Sequence, residues 1–321
     1  QPCMHGCSEH LFEVAAAYMV GRLEQFTFRC LVMLVWAFAA VRHHDQALFR
    51  GLAIHLGPML HTGSCHDLAT VAVAFSSAGV RQDKLFSDVA QKSVSRLNDF
   101  KAQDLVSVLC SFARNGFFHR GFLEGAALAA QRLDLSACQL HNFIAAASYS
   151  RPRHHATRSA MALLLPKCSA LVCNFAPEDL ASLTLAVATC FCVGSKSGGE
   201  GEEAVSSQVP QEALDYFSVV ARHFAEPARA GALPPRALAT LAACLAAIGS
   251  VAGPATGAVD VAGALAALAG EATGLAGSME PLPLCILLRT LPCLPRSQEA
   301  CRAFRALAAE AARRAQEGGV A

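Results

Sequence analysis

Apolar residues recur along this chain with a period of 37 residues, and this repeat constrains the fold more than any other feature. Each repeating leucine is followed seven residues later by a phenylalanine, which is two helical turns and places both side chains on one helix face. A fixed period of this length is typical of stacked helical hairpins. The residues that keep the spacing are Leu31, Leu68, Leu105, Phe38, Phe75 and Phe112.

Each repeat is predicted to consist of two helices. Apolar residues recur three and four positions apart after Asp67 and after Asp104, and Gly79 or Gly116 then marks the end of the first helix. A second amphipathic segment follows each glycine. Serine is expected as the N-cap of some first helices and proline in the first turn of others. These starting residues are Ser64, Ser136, Pro177, Pro235 and Pro281.

The repeat extends in both directions from these three units. The pair Leu11-Phe12 lies 37 residues before Leu48-Phe49, so the chain is expected to open inside a repeat. A Gly/Ser/Glu-rich insertion at 194–209 is expected to separate the two helices of one repeat, the second of which resumes at 211–224. Later first helices are expected at wider intervals, led by Leu140, Leu180 and Leu238, with a weaker repeat from Glu280.

The predicted fold is therefore all-α, a right-handed α-solenoid of about six helical hairpins with a period of about 37 residues. Three parts are expected: regular repeats at 1–193, a flexible loop at 194–210, and degenerate Ala-rich repeats at 211–321. The charged, Ala-rich segment 298–316 is expected to close the array as its solvent-facing cap.

Composition argues against several classes of protein. With 54% hydrophobic and 16% charged residues, the chain is too apolar to be disordered. A net charge of +1 argues against a strongly basic nucleic-acid-binding domain. Most of the 14 cysteines lie in apolar helical stretches, as at Cys30, Cys110 and Cys244, and are expected to be buried thiols in a reducing compartment. No uninterrupted apolar stretch reaches the ~20 residues of a transmembrane helix, so no membrane span is predicted.

The first helix of the repeat carries a motif. Residues 66–76 and 103–113 share the pattern (Q/H)-D-L-x-x-(V/L)-x-x-(A/S)-F-(A/S), and the Trp-Ala-Phe-Ala of 36–39 is a variant of its end. The motif and the period resemble the octotricopeptide and heptatricopeptide repeats of organellar proteins, often found with a RAP domain, and those of FAST-kinase-like proteins. The resemblance covers 9–190 well and 210–315 loosely. It implies an RNA-binding α-solenoid in a mitochondrion, with a plastid as the alternative; no RAP domain is visible in this chain.

A solenoid binds its ligand along equivalent positions of successive first helices. The positions two residues after the repeating leucine can hydrogen-bond base edges, and those two residues before it lie near the helix N-terminus, where a phosphate is favoured. Close helix packing and ordinary capping are the alternative interpretations of these polar positions. The predicted RNA contacts from the two sets are Arg29, His66, Thr70, Gln103, Ser107 and Asn142.

Basic residues are concentrated in the amino-terminal half: residues 1–174 hold 16 basic and 11 acidic residues, and 175–321 hold 10 and 14. The densest basic segment lies in a predicted loop between the helices of one repeat, where it can touch a phosphate backbone or simply be solvated. Trp36 and Phe117-Phe118 are candidates for stacking on bases, although core packing is favoured for them. The predicted contacts in the basic segment are Arg151, Arg153, His154, His155 and Arg158.

No catalytic or metal-binding pattern stands out. There is no G-x-S-x-G nucleophile elbow, and the Gly-rich segment 198–202 lacks the Lys-Ser/Thr of a phosphate loop. Four potential zinc ligands near the start have a spacing unlike the usual paired-ligand motifs: Cys3, His5, Cys7 and His10. We therefore expect no enzymatic activity, no metal, no cofactor and no small-molecule substrate.

Two functional hypotheses follow from these features. The first is an organellar RNA-binding protein, in its most concrete form a mitochondrial ribosome component that contacts ribosomal RNA through the first helices. The second is a scaffold that contacts mainly other proteins of a large assembly, because the Ala-rich carboxyl half has few charges for phosphate. A transcript processing or stability factor is a further alternative. The orientation of Thr70, Ser107 and Asn142 separates the first two hypotheses, since an RNA-binding protein requires an open groove there.

Overall fold

The computed structural model describes residues 3–43, 45–192, 209–226, 233–252, 261–290 and 298–318, and all regular secondary structure in these ranges is helical. The all-α prediction is thus confirmed. The helices are α1 Cys3–Val20, α2 Phe28–Ala40, α3 Gln46–Met59, α4 Cys65–Ser77, α5 Asp83–Val94, α6 Ala102–Arg114, α7 Arg120–Arg132, α8 Ala137–Ser150, α9 His155–Ala170, α10 Pro177–Phe191, α11 Gln211–Phe224, α12 Pro235–Ala252, α13 Val261–Leu275, α14 Pro281–Thr290 and α15 Gln298–Gly318.

The chain forms two compact units. Unit 1 comprises residues 1–135 and 149–151, and unit 2 comprises residues 136–148 and 152–321. The three-part division proposed from sequence follows the regularity of the repeat, and it stays a prediction. Residues 193–208, which include most of the predicted loop, lie outside the described part of the chain.

Unit 1 is built of two helical layers. The first helices α2, α4 and α6 pack side by side, and the second helices α1, α3, α5 and α7 form the other layer. The repeating leucines and phenylalanines are buried between the layers. Edge-to-face phenylalanine pairs join each second helix to the first helix of the next repeat, with ring centroids 5.1 to 5.7 Å apart. These pairs are Phe12–Phe38, Phe49–Phe75 and Phe86–Phe112.

The first helices begin where the sequence predicts. Ser64 and Asp67 form a capping box at α4, in which the Ser64 N–H donates to the Asp67 carboxylate (2.9 Å) and the Asp67 N–H donates to the Ser64 hydroxyl (3.2 Å). Ser136 exchanges the same two hydrogen bonds with Gln139 at α8. Helices α10, α12 and α14 start at the predicted prolines. A single 3-10 turn, missed by the sequence reasoning, precedes α2, α4, α6, α10 and α14.

The turn that ends each first helix in unit 1 requires a left-handed residue. Gly79 (φ 65°) and Gly116 (φ 64°) occupy this position after α4 and α6, which confirms them as helix stops. The equivalent residue after α2 is Arg42 (φ 58°), a side chain in a conformation that favours glycine. In all three turns the next residue donates its N–H to the carbonyl of the repeating phenylalanine, at 2.9 to 3.2 Å.

Unit 2 also has two layers. Helix α8, of which residues 137–148 belong to this unit, is a first helix, as are α10, α12 and α14. Helices α9, α11, α13 and α15 form the opposite layer. The fully buried hydroxyl of Tyr216 in α11 is hydrogen-bonded to the Thr184 hydroxyl in α10 (2.9 Å). Helix α15 covers α13 and α14 as the predicted last helix, and Arg314 donates to the Met279 carbonyl (2.6 Å). Second helix α11 spans 211–224 as predicted.

One described segment, Val261–Ser278, is long and apolar enough to cross a membrane, with a mean hydropathy of 1.2 over 18 residues. Of the segment's 18 residues, 39% are buried, because α13 packs against α11, α12 and α15. A core helix of a helical protein passes the same test of length and composition.

The cysteines whose side chains are described are free thiols. Cys244 is buried as predicted and Cys110 is half-buried, but Cys30 is exposed, so the prediction was wrong for Cys30. The equivalent residues of α4 and α6, Asp67 and Asp104, are half-buried, and each of these helices packs against the first helix before it, whereas α2 is the first of the three. Burial raises the pKa of the Cys168 and Cys244 thiols to about 12.

Candidate nucleic-acid interface

The three first helices of unit 1 present one exposed row of side chains. The row combines the residues two before and two after each repeating leucine, which lie one turn apart on the same helix face, with the tryptophan of α2. We call it the exposed row, and its members are Arg29, Met33, Trp36, His66, Thr70, Gln103 and Ser107. Since α4 packs against both α2 and α6, the row crosses three adjacent helices, whose axes are spaced about 8–10 Å apart.

The polar members of the exposed row are accessible to solvent. Arg29, His66 and Gln103 are exposed, and Thr70 and Ser107 are half-buried, so none is enclosed by helix packing. The Thr70 hydroxyl donates to the His66 carbonyl one turn earlier (2.9 Å). This bond uses its only proton, so Thr70 offers a ligand acceptor lone pairs. The Gln103 amide donates to the Ser107 hydroxyl (3.4 Å). Side chains of this kind hydrogen-bond to base edges rather than attract phosphate.

A hydrogen bond between His66 and Asp104 links α4 and α6 at the row. The His66 Nδ1 lies 3.0 Å from an Asp104 carboxylate oxygen, and the side chains are 75% and 13% exposed respectively. Asp104 is the equivalent of Asp67, but Lys101 stands at the N-cap of α6 and provides no hydroxyl for a capping box. The Asp104 carboxylate is therefore directed to the neighbouring repeat. Its negative charge also weakens the attraction of this part of the row for phosphate.

Trp36 is 59% exposed, which contradicts the favoured prediction that it packs in the core. It lies two turns after Arg29 and close to Met33, which is 64% exposed, on the same face of α2. The repeat register contained the signal, because Trp36 is equivalent to Val73 and Cys110, which are both half-buried on the row side of α4 and α6. An exposed indole on the same helix face as a guanidinium is a surface suited to stacking on a base.

The predicted contact Asn142 belongs to unit 2. Asn142 is half-buried on α8, with its amide 3.6 Å from the Cys138 sulfur one turn earlier. On the same helix, His141 Nδ1 lies 3.7 Å from the Asp179 carboxylate of α10. This pair joins two neighbouring first helices, as His66 and Asp104 do in unit 1.

The basic segment 151–158 forms the turn between α8 and α9 and the first turn of α9, as predicted, and its residues are divided between the two units. The exposed Arg151 guanidinium lies 5.2 Å from the Phe118 ring centre, a cation–π contact within unit 1. In unit 2, His154 caps α9 by accepting the Ala156 N–H (3.1 Å), while Arg158 lies over Phe191 (5.2 Å). Arg153 is half-buried and His155 is exposed.

The phenylalanines at 117 and 118 are engaged by the protein itself. Phe117 packs against Phe112 and Phe86, with ring centroids 5.1 and 5.9 Å apart, and Arg151 contacts the Phe118 ring. Stacking on a base is therefore better suited to Trp36 than to either of these two rings.

Among the residues whose side chains are described, no group of three or more His, Cys, Asp or Glu is placed to hold a metal ion. The side chains of Cys3, His5 and Cys7 lie outside that part of the chain. The absence of a metal and of a cofactor therefore stays a prediction.

The layered hairpins and the exposed row define a helical-repeat protein with a solvent-accessible face on its first helices. Residues 6–119 match a family model described as RNA-editing substrate-binding complex 6 protein. The match covers less than half of the 321-residue chain, lies within unit 1 and includes the whole exposed row. None of the curated proteins compared matches the chain. Both this family model and the repeat families that the motif resembles are associated with RNA. The match does not support an assignment to the octotricopeptide or RAP families.

Proposed function

We propose that unit 1 binds single-stranded RNA along the exposed row and that the protein acts by binding, without catalysis, in an organellar RNA-editing or RNA-processing complex. The observation that carries this proposal is the coincidence of two findings. The family match at 6–119 falls on the unit that holds the exposed row, and the name of that family refers to the binding of RNA-editing substrates. A mitochondrial location is part of the proposal, by analogy with the organellar repeat proteins that the motif resembles.

The geometry favours single-stranded over double-stranded RNA. Sequence-specific recognition of RNA targets unstacked bases. In a duplex the bases are paired and stacked inside the helix, so they are not available to side chains of this kind. The row offers Thr70, Gln103 and Ser107 to base edges and Trp36 as a stacking surface, but only Arg29 as a fixed positive charge. Repeat proteins of this general kind read about one base per repeat with two or three side chains. Three adjacent first helices therefore suit a segment of about three nucleotides.

The identity of the RNA is narrowed by the family match. Its description refers to RNA editing and gives no support to ribosomal RNA, so we favour the processing alternative over a ribosomal role. Other proteins of the complex are proposed as partners, and the Ala-rich carboxyl half 175–321 suits protein contacts better than phosphate because its 14 acidic residues outnumber its 10 basic ones. A pure scaffold remains the competing hypothesis, in which unit 1 binds no RNA.

The test is fluorescence anisotropy with a labelled 12-nucleotide single-stranded RNA of random sequence and the full chain. Loss of stacking in Trp36→Ala is expected to weaken binding by about 1–3 kcal/mol, or roughly 5- to 150-fold in Kd. Arg29→Ala is expected to reduce the slope of log K against log salt by about 0.7, because one phosphate contact is lost. Leu128→Ala is the matched control, since Leu128 is 49% exposed but lies on α7 in the other layer.

Crosslinking in the native assembly separates the two hypotheses. RNA crosslinks on peptides spanning residues 25–115 support the proposal. It is contradicted if wild type and Trp36→Ala bind this RNA equally weakly and crosslinks go only to neighbouring proteins, in which case the scaffold hypothesis takes its place.

A further inference from the structure

The second-helix layer of unit 1 contains a cleft unrelated to the exposed row. It has a volume of about 460 Å³ and lies between α3 and α5. Its apolar wall is formed by Ala53, Leu85 and the 70% exposed Ile54, and its lysines are Lys84 and Lys92. A volume of this size is in the range of ligand-binding clefts.

The cleft arises from departures from the repeat. Gly57 stands where the equivalent residues of α1 and α5 are Val20 and Val94, so a side chain is missing at the wall of the cleft. The lysines are also outside the repeat pattern. In the 37-residue register, Lys84 is equivalent to Ala47 and Gly121, and Lys92 is equivalent to His55 and Ala129. Hairpin stacking therefore does not require a lysine at either position.

The charges of the cleft are arranged for an acidic ligand with an apolar side chain. Lys84 and Lys92 are exposed, and neither forms an ion pair within the described residues. Eight residues of helix place them about 12 Å apart on one face of α5. Asp88 lies between them and is turned towards α3, since its Oδ2 is 3.4 Å from the position of a Cβ added at Gly57. The Asp88 carboxylate repels a phosphate group, but it can accept a hydrogen bond from a peptide N–H.

We propose that this cleft binds an extended acidic peptide segment of another protein, of the form Glu-x-Φ-x-Glu, where Φ is aliphatic. In an extended chain alternate residues point to the same side, and four residues span about 13 Å. The two glutamates therefore match the spacing of Lys84 and Lys92, while the aliphatic side chain enters the cleft against Ala53 and Leu85. Asp88 accepts a backbone N–H of the peptide. This strand-like occupant uses the layer opposite to the exposed row.

The test is anisotropy of a fluorescein-labelled peptide, Gly-Ser-Glu-Ser-Leu-Ser-Glu-Ser-Gly, titrated with the full chain. Saturable binding is expected, with at least a tenfold increase in Kd for the charge-reversal variant Lys84→Glu/Lys92→Glu. Gly57→Val fills the cleft and is expected to cause a similar loss. It replaces a glycine inside α3 and does not require a positive φ, so the helix is retained. Arg50→Glu is the matched control, because Arg50 is exposed on α3 outside the cleft.

Two further probes decide the specificity. Replacing both glutamates of the peptide by lysine, or its leucine by serine, is expected to abolish binding. The proposal is overturned if the original peptide does not saturate, if Arg50→Glu weakens it as much as the double variant, or if the double variant loses RNA binding and leaves peptide binding intact. Gly57→Val is expected to retain RNA binding, so failure of this proposal and failure of the proposed RNA function are distinguishable.

Discussion

Arg42 offers a direct test of how the backbone limits stability in this fold. It occupies the left-handed position after α2 (φ 58°), where the two equivalent turns have Gly79 and Gly116. A left-handed conformation costs a residue with a side chain about 1–2 kcal/mol. Glycine removes this cost but loses about 0.5–1 kcal/mol in backbone entropy on folding. The balance predicts that Arg42→Gly stabilises the α2 turn by about 0.5–1 kcal/mol.

The assay is amide hydrogen exchange of α2 in the full chain, where this gain corresponds to a rise in protection of about two- to fivefold. Arg42→Ala is the control, because it removes the side chain but keeps the same backbone cost, and it should leave protection unchanged. In the reverse direction, Gly79→Ala should lower the protection of α4. No atom lies within 4 Å of a Cβ added at Gly79, so the loss is a backbone effect alone. Equal protection in Arg42→Gly and Arg42→Ala would refute this reasoning.

Three further outcomes are expected. Phe112→Ala removes a fully buried ring that contacts three other phenylalanines, and it should lower the free energy of unfolding by about 3–5 kcal/mol in urea titrations; a loss below about 1 kcal/mol would contradict this. Ser64→Ala breaks the capping box of α4 and should cost about 1 kcal/mol by the same measurement, whereas Ser77→Ala, at the exposed end of that helix, should cost less than about 0.5 kcal/mol. The pKa values of Cys168 and Cys244 rise from 9.0 to about 12 on burial. The folded protein thus holds these protons more tightly than the unfolded chain, so stability should fall as the pH rises from 9 to 12 and should not respond to these thiols below 9, which urea titrations in that range can check.

The hairpin repeat could be predicted from the sequence because its determinants are local. A buried leucine, a phenylalanine two turns later and a glycine at the turn specify each first helix without reference to distant residues. Helix starts at serine and proline are local in the same sense. The prediction for Trp36 was wrong because a general preference of aromatic residues for the core was given more weight than the repeat register.

The candidate site could be predicted only in part, because exposure depends on which helices are neighbours. Equivalent residues differ in burial between α2 and α4, as Cys30 and Asp67 do, according to whether another first helix packs on them. The pair of His66 and Asp104 joins residues of two different repeats, and no single-helix pattern contains it. The position of the basic segment 151–158 was predicted correctly. The contacts of Arg151 with Phe118 and of Arg158 with Phe191 could not be predicted from the segment itself, because the two phenylalanines come from other parts of the chain.

The recurring phenylalanine pairs have a consequence for how unit 1 folds. Each pair, such as Phe49 with Phe75, joins residues only 26 positions apart, and the pattern then repeats along the chain. Structure of this kind has low contact order, so it can nucleate at any hairpin and propagate to the next without closing long loops. Cooperativity between distant hairpins must then pass through every pair between them. Loss of one pair is therefore expected to weaken the coupling between the hairpins on either side of it.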